Sequence, residues 1–198
     1  MNEPESLASR RNRVERFLRD RGTETIDHPG GTLLAHLGRV ADTLAAWGHD
    51  GDLQLAGLAH AVYGTDGFGV SLVELSDRAT VVELVGTRAE GWIYQYAACD
   101  RETVYPRIDA VPVRFRDRFT GGEFEPSEPD FRAFLELTIA NELDVLAQNA
   151  ELATKYGTGL YELFARVRPR LSRAAWSACE GQLAPLLRPG WSHQLDSS

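Results

Sequence analysis

The chain has only two cysteines and one methionine in 198 residues. Cys99 and Cys179 stand alone with no CxxC spacing, so neither a zinc ribbon nor a disulfide framework is expected. Reduced thiols of a cytoplasmic protein are the default for such usage. No stretch approaches the roughly 18 apolar residues that span a bilayer, so no membrane association is expected. Residues 1–16 are polar and charged with no apolar run, which argues against a secretory signal. A long basic run is also missing, and the formal net charge is -8. An acidic surface repels phosphate backbones, so nucleic acid is not an expected partner. A small anion in a local basic pocket stays open. There is no internal repeat, low-complexity tract or linker.

What is present is ordinary globular material, with 43% hydrophobic and 25% charged residues. Residues 1–198 are expected to form a single domain with one core, ending in a frayed tail over 189–198. Glu5 to Arg21 reads as a charged amphipathic helix closed by Gly22, followed by the shaped turn Asp27-His28-Pro29-Gly30-Gly31. Thr32 is placed to cap a second helix running to Trp47, with Leu33, Leu37, Val40, Leu44 and Trp47 on one stripe. The segment from Leu53 to Tyr63 is apolar all round, the pattern of a helix at the centre of a fold. The glycine-rich run Gly64 to Gly69 must be a loop. Asp77 to Val85, Arg88 to Cys99, Pro129 to Ala150, Leu160 to Val167 and Ser172 to Leu187 read as further helices, and residues 103–128 as a loop with a short hairpin. The fold class expected is all-α, a bundle of about seven helices.

Three polar groups fall on apolar faces. His36 lies on the flank of the second helix's stripe. His60 sits in the all-apolar segment, whose own side chains offer its ring nitrogens no partner. Glu142 falls near the middle of the apolar face made by Phe131, Phe134, Leu135, Val145 and Leu146, where a carboxylate needs a counter-charge or a metal. Asp144 is read as pointing away, into solvent, and Asn141 as lying at the stripe's edge. Two histidines and a carboxylate from three helices make a first shell for Zn²⁺, Mn²⁺ or Fe²⁺, and His28 adds a fourth ligand or only caps its helix. Each group also has a plain reading: core histidines bonded to carbonyls, and Glu142 paired with a core-facing arginine. His49 and His193 are set aside as turn and tail residues. Asp100 and Arg101 close the aromatic helix. The loop after His60 carries Tyr63, Thr65, Asp66 and Phe68 to a pocket wall.

The order of these elements resembles the HD-domain superfamily of metal-dependent phosphohydrolases. His36 in HLGRVADTL matches that superfamily's first histidine. AGLAHAVYGT, with His60-Ala61, is similar to its LLHD segment, and IANELDVL, with Asn141, to the segment carrying its last aspartate. VVELVG and AEGW are similar to the (p)ppGpp-hydrolase branch. The likeness covers residues 30–150. Ala61 and Asn141 stand where metal-binding aspartates are expected, and that branch's acidic pair falls at Gly64 and Thr65, so its pyrophosphate hydrolysis is not expected. HPGGTLLAHL, GLAHAVYGTDGF, CDR and ELTIANELD are also similar to an uncharacterised HD-like family, a likeness that implies a fold and no reaction.

The expectation is a cytoplasmic, metal-dependent enzyme acting on a small molecule, anions included, with hydrolysis ahead of oxygenation. His28, His36, His60 and Glu142 are the expected ligands of one divalent Fe, Mn or Zn. Tyr63, Asp100 and Arg101 are the expected catalytic groups, and Thr65, Asp66, Phe68 and Asn141 the expected substrate contacts. The alternative is a metal-free, degenerate member that binds a small molecule or performs acid–base chemistry. A helical interaction module is a third reading, and a homodimer is an open alternative to a monomer.

Overall fold

The computed structural model describes residues 5–187. His193 and the expected frayed tail lie outside the described residues.

Capping side chains set most helix starts. Ser6 opens α1 (Leu7–Asp20), Thr32 opens α2 (Leu33–Ala46) and Asp50 opens α3 (Gly51–Ala59), each accepting a backbone N–H from the first turn. After α4 (Arg78–Val85) and α5 (Thr87–Ala98), Asp100 caps the single turn α6 (Arg101–Val104). Ser127 caps the long α7 (Glu128–Gln148), Asn149 caps α8 (Ala150–Val167) and Ser172 caps α9 (Arg173–Leu183). Two antiparallel ribbons interrupt the helices: β1 (Asp27–His28) with β2 (Gly31–Thr32), and β3 (Phe115–Arg116) with β4 (Glu123–Phe124). The second is the hairpin expected within residues 103–128. The first forms where only a turn was read.

The all-α expectation therefore holds in class, while the count is nine α-helices among the described residues rather than about seven. The difference has local causes. α6 is one capped turn too short to leave a periodic pattern. A boundary also moves without changing the count: α8 begins at Ala150 rather than Leu160, because Asn149 ends one helix and caps the next. No helix of the described residues is long and apolar enough to cross a membrane.

α3 runs through the centre, as its all-round apolar sequence requires, with Leu53, Leu55, Ala56, Leu58 and Ala59 buried. It packs against α2, α5 and α1, and α7 packs against both α2 and α3. Gly57 allows the α2–α3 approach: a Cβ there would lie 2.6 Å from Leu44 Cδ1 and 3.4 Å from the Ala41 Cα. This contact brings His36 on α2 beside His60, the residue that ends α3.

Candidate functional site

His60 is 2% exposed and turns its Nδ1 onto the Gly57 carbonyl at 2.8 Å. A carbonyl only accepts, so Nδ1 carries the proton and the Nε2 of the neutral ring is a lone pair. The helix that offers no side-chain partner thus supplies a backbone one. Burial, then the neighbouring His36 ring, pulls the His60 pKa down to about 3. The ring is neutral at ordinary pH.

His36 is 1% exposed, and its Nδ1 lies 2.6 Å from Asp144 Oδ2. Its Nε2 faces His60 Nε2 at 3.4 Å and Asn141 Oδ1 at 3.1 Å. The Asn141 amide is oriented by its own Nδ2, which donates to Glu142 Oε1 at 3.3 Å. Asp144 also accepts from Arg39 Nε at 2.6 Å and from Arg39 Nη2 at 2.9 Å. Burial alone would raise the Asp144 carboxyl; the hydrogen bonds from His36 and Arg39 outweigh it and hold the group below the usual carboxylate range. Arg39 also reaches the Pro29 carbonyl, which ties the β1–β2 ribbon over the site.

His28, at the end of β1, stacks on His36 with ring centroids 3.9 Å apart. Its buried Nδ1 has no partner among the described residues, and burial followed by the His36 ring lowers its pKa to about 4. Phe68 meets the same ring edge-on at 5.6 Å. The loop after α3 is closed by Thr65 and Phe68 bonding each other's backbone, with Gly64 at a φ of +70°. Asp66 then accepts the Arg101 N–H at 2.8 Å, which locks this loop to the start of α6. Arg101 donates to Glu142 at 3.1 Å and to the Tyr96 hydroxyl at 2.9 Å.

Together these groups surround a cavity of about 240 Å³. His28, His36, His60, Thr65, Asp66, Phe68, Arg101, Asn141 and Glu142, nine of the eleven expected site residues, all line it. Asp27, Asp66 and Glu142 bring negative charge to the wall against the single guanidinium of Arg101.

The two exceptions are Tyr63 and Asp100. The Tyr63 hydroxyl donates to Glu90 at 2.9 Å within a network completed by Arg78, and burial, then Glu90, raises its pKa. That network ties α4 to α5. Asp100 caps α6 and pairs with Arg116 at 3.3 Å on the outer side. Neither is part of the cavity wall.

The expected four-ligand metal shell is not assembled. Glu142 is turned to Arg101, the ion pair that was its plain reading, and His28 lies flat on His36 rather than aiming a nitrogen at the same point. No group of three His, Cys, Asp or Glu side chains among the described residues is arranged to hold a metal ion. Ala61 presents only a methyl to the wall.

Asp144 is the residue beside the site that the sequence reading misplaced. Far from solvated, its side chain is 8% exposed. A readable signal existed: His36 and Arg39 are spaced i, i+3 on α2, and Asn141 and Asp144 are spaced i, i+3 on α7, so two facing helices present matching polar pairs.

One family model, that of a domain of unknown function (DUF6817), matches residues 17–101. That is under half of the chain; it takes in His28, His36, His60 and Arg101 and stops before α7, which supplies Asn141, Glu142 and Asp144. No curated protein and no solved structure matches the chain.

Proposed function

We propose that the chain is an enzyme that binds a small polar molecule in the histidine cavity and exchanges a proton with it through His36, without a metal. The observation that carries this reading is the partner set of His36. Protonated, the ring is balanced by Asp144 on Nδ1 and donates from Nε2 to Asn141 Oδ1. Neutral, it keeps the Asp144 bond and turns an Nε2 lone pair to the cavity. A side chain that can exchange its Nε2 proton with a cavity ligand while Asp144 holds its Nδ1 is what general acid–base catalysis needs. Asp144 fixes the tautomer and supports the imidazolium that forms, with Arg39 holding the carboxylate. His28 and His60, kept neutral by burial, shape the wall and do not compete for the proton. The HD-like bundle belongs to the same proposal: first histidine on α2, second at the end of α3 and Asn141 on α7 follow that superfamily's order.

A divalent metal is the second reading, and one observation favours it. Two ligand nitrogens 3.4 Å apart, each about 2.1 Å from a metal, subtend nearly the tetrahedral angle. Both Nδ1 atoms are pinned from behind, as metal-bound imidazoles are. His36, His60 and Asn141 would hold the ion, which when bound supplies an activated water for hydrolysis. Against it stands the absence of a third histidine or an acid aimed at that point among the described residues.

Elemental analysis joined to ¹⁵N spectra of the histidine rings tests the choice. The metal-free reading expects far less than one equivalent of metal, even after incubation with Zn²⁺, Mn²⁺ or Fe²⁺. It also expects a His60 ring that keeps its Nδ1 proton, with the Nε2 resonances of both rings unmoved by added metal. One equivalent of bound metal with both Nε2 resonances shifted overturns it and establishes the second reading.

A further inference from the structure

A second concavity, of about 650 Å³, lies between α8 and the turn that follows α6. Pockets for small molecules run from about 300 to 1,000 Å³, so a whole ligand fits there. The α8 wall is a single face of that helix, with Tyr156, Gly159, Leu160 and Leu163 at spacings of 3, 1 and 3. Gly159 leaves a notch in this face, since a Cβ added to it meets nothing within 4 Å. Tyr105 and Pro106 make the wall contributed by the turn.

The charges around the groove are already matched or wet. Arg101 pairs with Glu142 at 3.1 Å. Arg166 pairs with Asp109 and donates to the carbonyls of Tyr105 and Pro106. Lys155, Glu102 and Glu162 are exposed to water, Lys155 lying over the Tyr156 ring at 4.9 Å. An ionic ligand moved onto these walls would lose hydration and find no unpaired, desolvated counter-charge. The unmet group is a neutral one: the buried Tyr105 hydroxyl has no partner among the described residues. A phenol O–H donates, so an acceptor that reaches it supplies a hydrogen bond that no side chain of the fold makes.

We propose that this groove binds a neutral, flat, mostly apolar molecule, its ring over the Gly159 notch between Tyr105 and the Leu160–Leu163 face, with one hydrogen-bond acceptor for the Tyr105 hydroxyl. The site is separate from the histidine cavity, needs no passage into it, and does not depend on the proton exchange assigned to His36.

Benzyl alcohol, benzoate, benzylamine and naphthylmethanol are the probes, titrated near neutral pH while the methyl resonances of Leu160 and Leu163 are followed. Benzyl alcohol is expected to shift those methyls and to saturate. Benzoate and benzylamine carry the same ring with a charge of either sign, and each binds at least about tenfold more weakly. The second ring of naphthylmethanol buries more apolar surface, so it binds about tenfold or more tightly than benzyl alcohol. Gly159→Phe fills the notch from an unobstructed helix position. It is expected to reverse the naphthyl gain while the circular dichroism spectrum holds. Tyr156→Ala, at a side chain 46% exposed, leaves the core untouched and weakens naphthylmethanol several-fold. Tyr105→Phe weakens both alcohols several-fold. Neutral probes that leave the Leu160 and Leu163 methyls unshifted overturn the site. Charged probes that bind as well as benzyl alcohol overturn the ligand class. Binding that survives both Gly159→Phe and Tyr156→Ala overturns the groove as its seat, and alcohols indifferent to Tyr105→Phe overturn the part given to the hydroxyl.

Discussion

Replacing Asp144 by Asn separates a buried organising carboxylate from a solvated helix residue. Asp144 accepts three short hydrogen bonds, at 2.6 Å from His36 and at 2.6 and 2.9 Å from Arg39. Its side chain is 8% exposed and that of Arg39 is 31%. Breaking a fully buried pair costs about 3–5 kcal/mol, because the surviving charge is stranded. Here Arg39 retains water and the Pro29 carbonyl, and the asparagine carbonyl still accepts from His36. The loss is therefore set at the lower end, about 3 kcal/mol, which for a chain of this size lowers Tm by roughly 6–12 °C. Thermal and urea unfolding of Asp144→Asn beside Asp42→Asn supply the comparison. Asp42 pairs with Arg11 while its side chain is 65% exposed, so its loss costs under about 1 kcal/mol. Equal melting temperatures for the two variants would refute the reasoning and return Asp144 to the solvated role its sequence position suggests.

Acid stability follows from His60, whose pKa falls from 6.5 to about 3 in the fold. The unfolded chain binds the proton first, so this stability is complete above about pH 6.5 and is lost as pH falls towards 4, by up to about 1.4 kcal/mol per pH unit; urea midpoints across that range should show the slope, and His60→Gln should reduce it to the part that His28, lowered to about 4 by its own burial, contributes. Gly57→Ala and Gly159→Ala form a matched pair, because the first places a methyl 2.6 Å from Leu44 Cδ1 and the second meets nothing within 4 Å. Overpacking costs about 1–3 kcal/mol and relieving a helical glycine returns up to about 1, so melting should fall for the first and hold or rise for the second. Ser172→Ala removes the α9 cap, which accepts from Ala175 at 3.1 Å and donates to Glu136 at 2.9 Å; a loss of about 1–2 kcal/mol is expected in urea unfolding, and no change would mean that Glu136 is satisfied without it.

The sequence by itself determined the helical class, the cap at Thr32, the burial of α3 and the separation of His36 and His60 from solvent. These depend on local chemistry: a side-chain oxygen at an N-cap, a stripe with a 3.6-residue period, a segment with no polar face. It also collected most of the cavity's residues, because a polar group on an apolar face is conspicuous along the chain. Only the tertiary structure decided how those residues divide. Asp144 and Glu142 lie two apart on α7 and face different neighbours, and which neighbour meets which depends on how α7 lies across α2 and on where α6 begins. The periodicity of one helix cannot contain the position of the next, so Asp144 went to His36 and Arg39, Glu142 went to Arg101, and Tyr63 left the cavity for Glu90. The same limit explains the metal shell: sequence can show that histidines and a carboxylate are buried, but whether their lone pairs meet at one point is fixed to tenths of an ångström by side-chain packing alone.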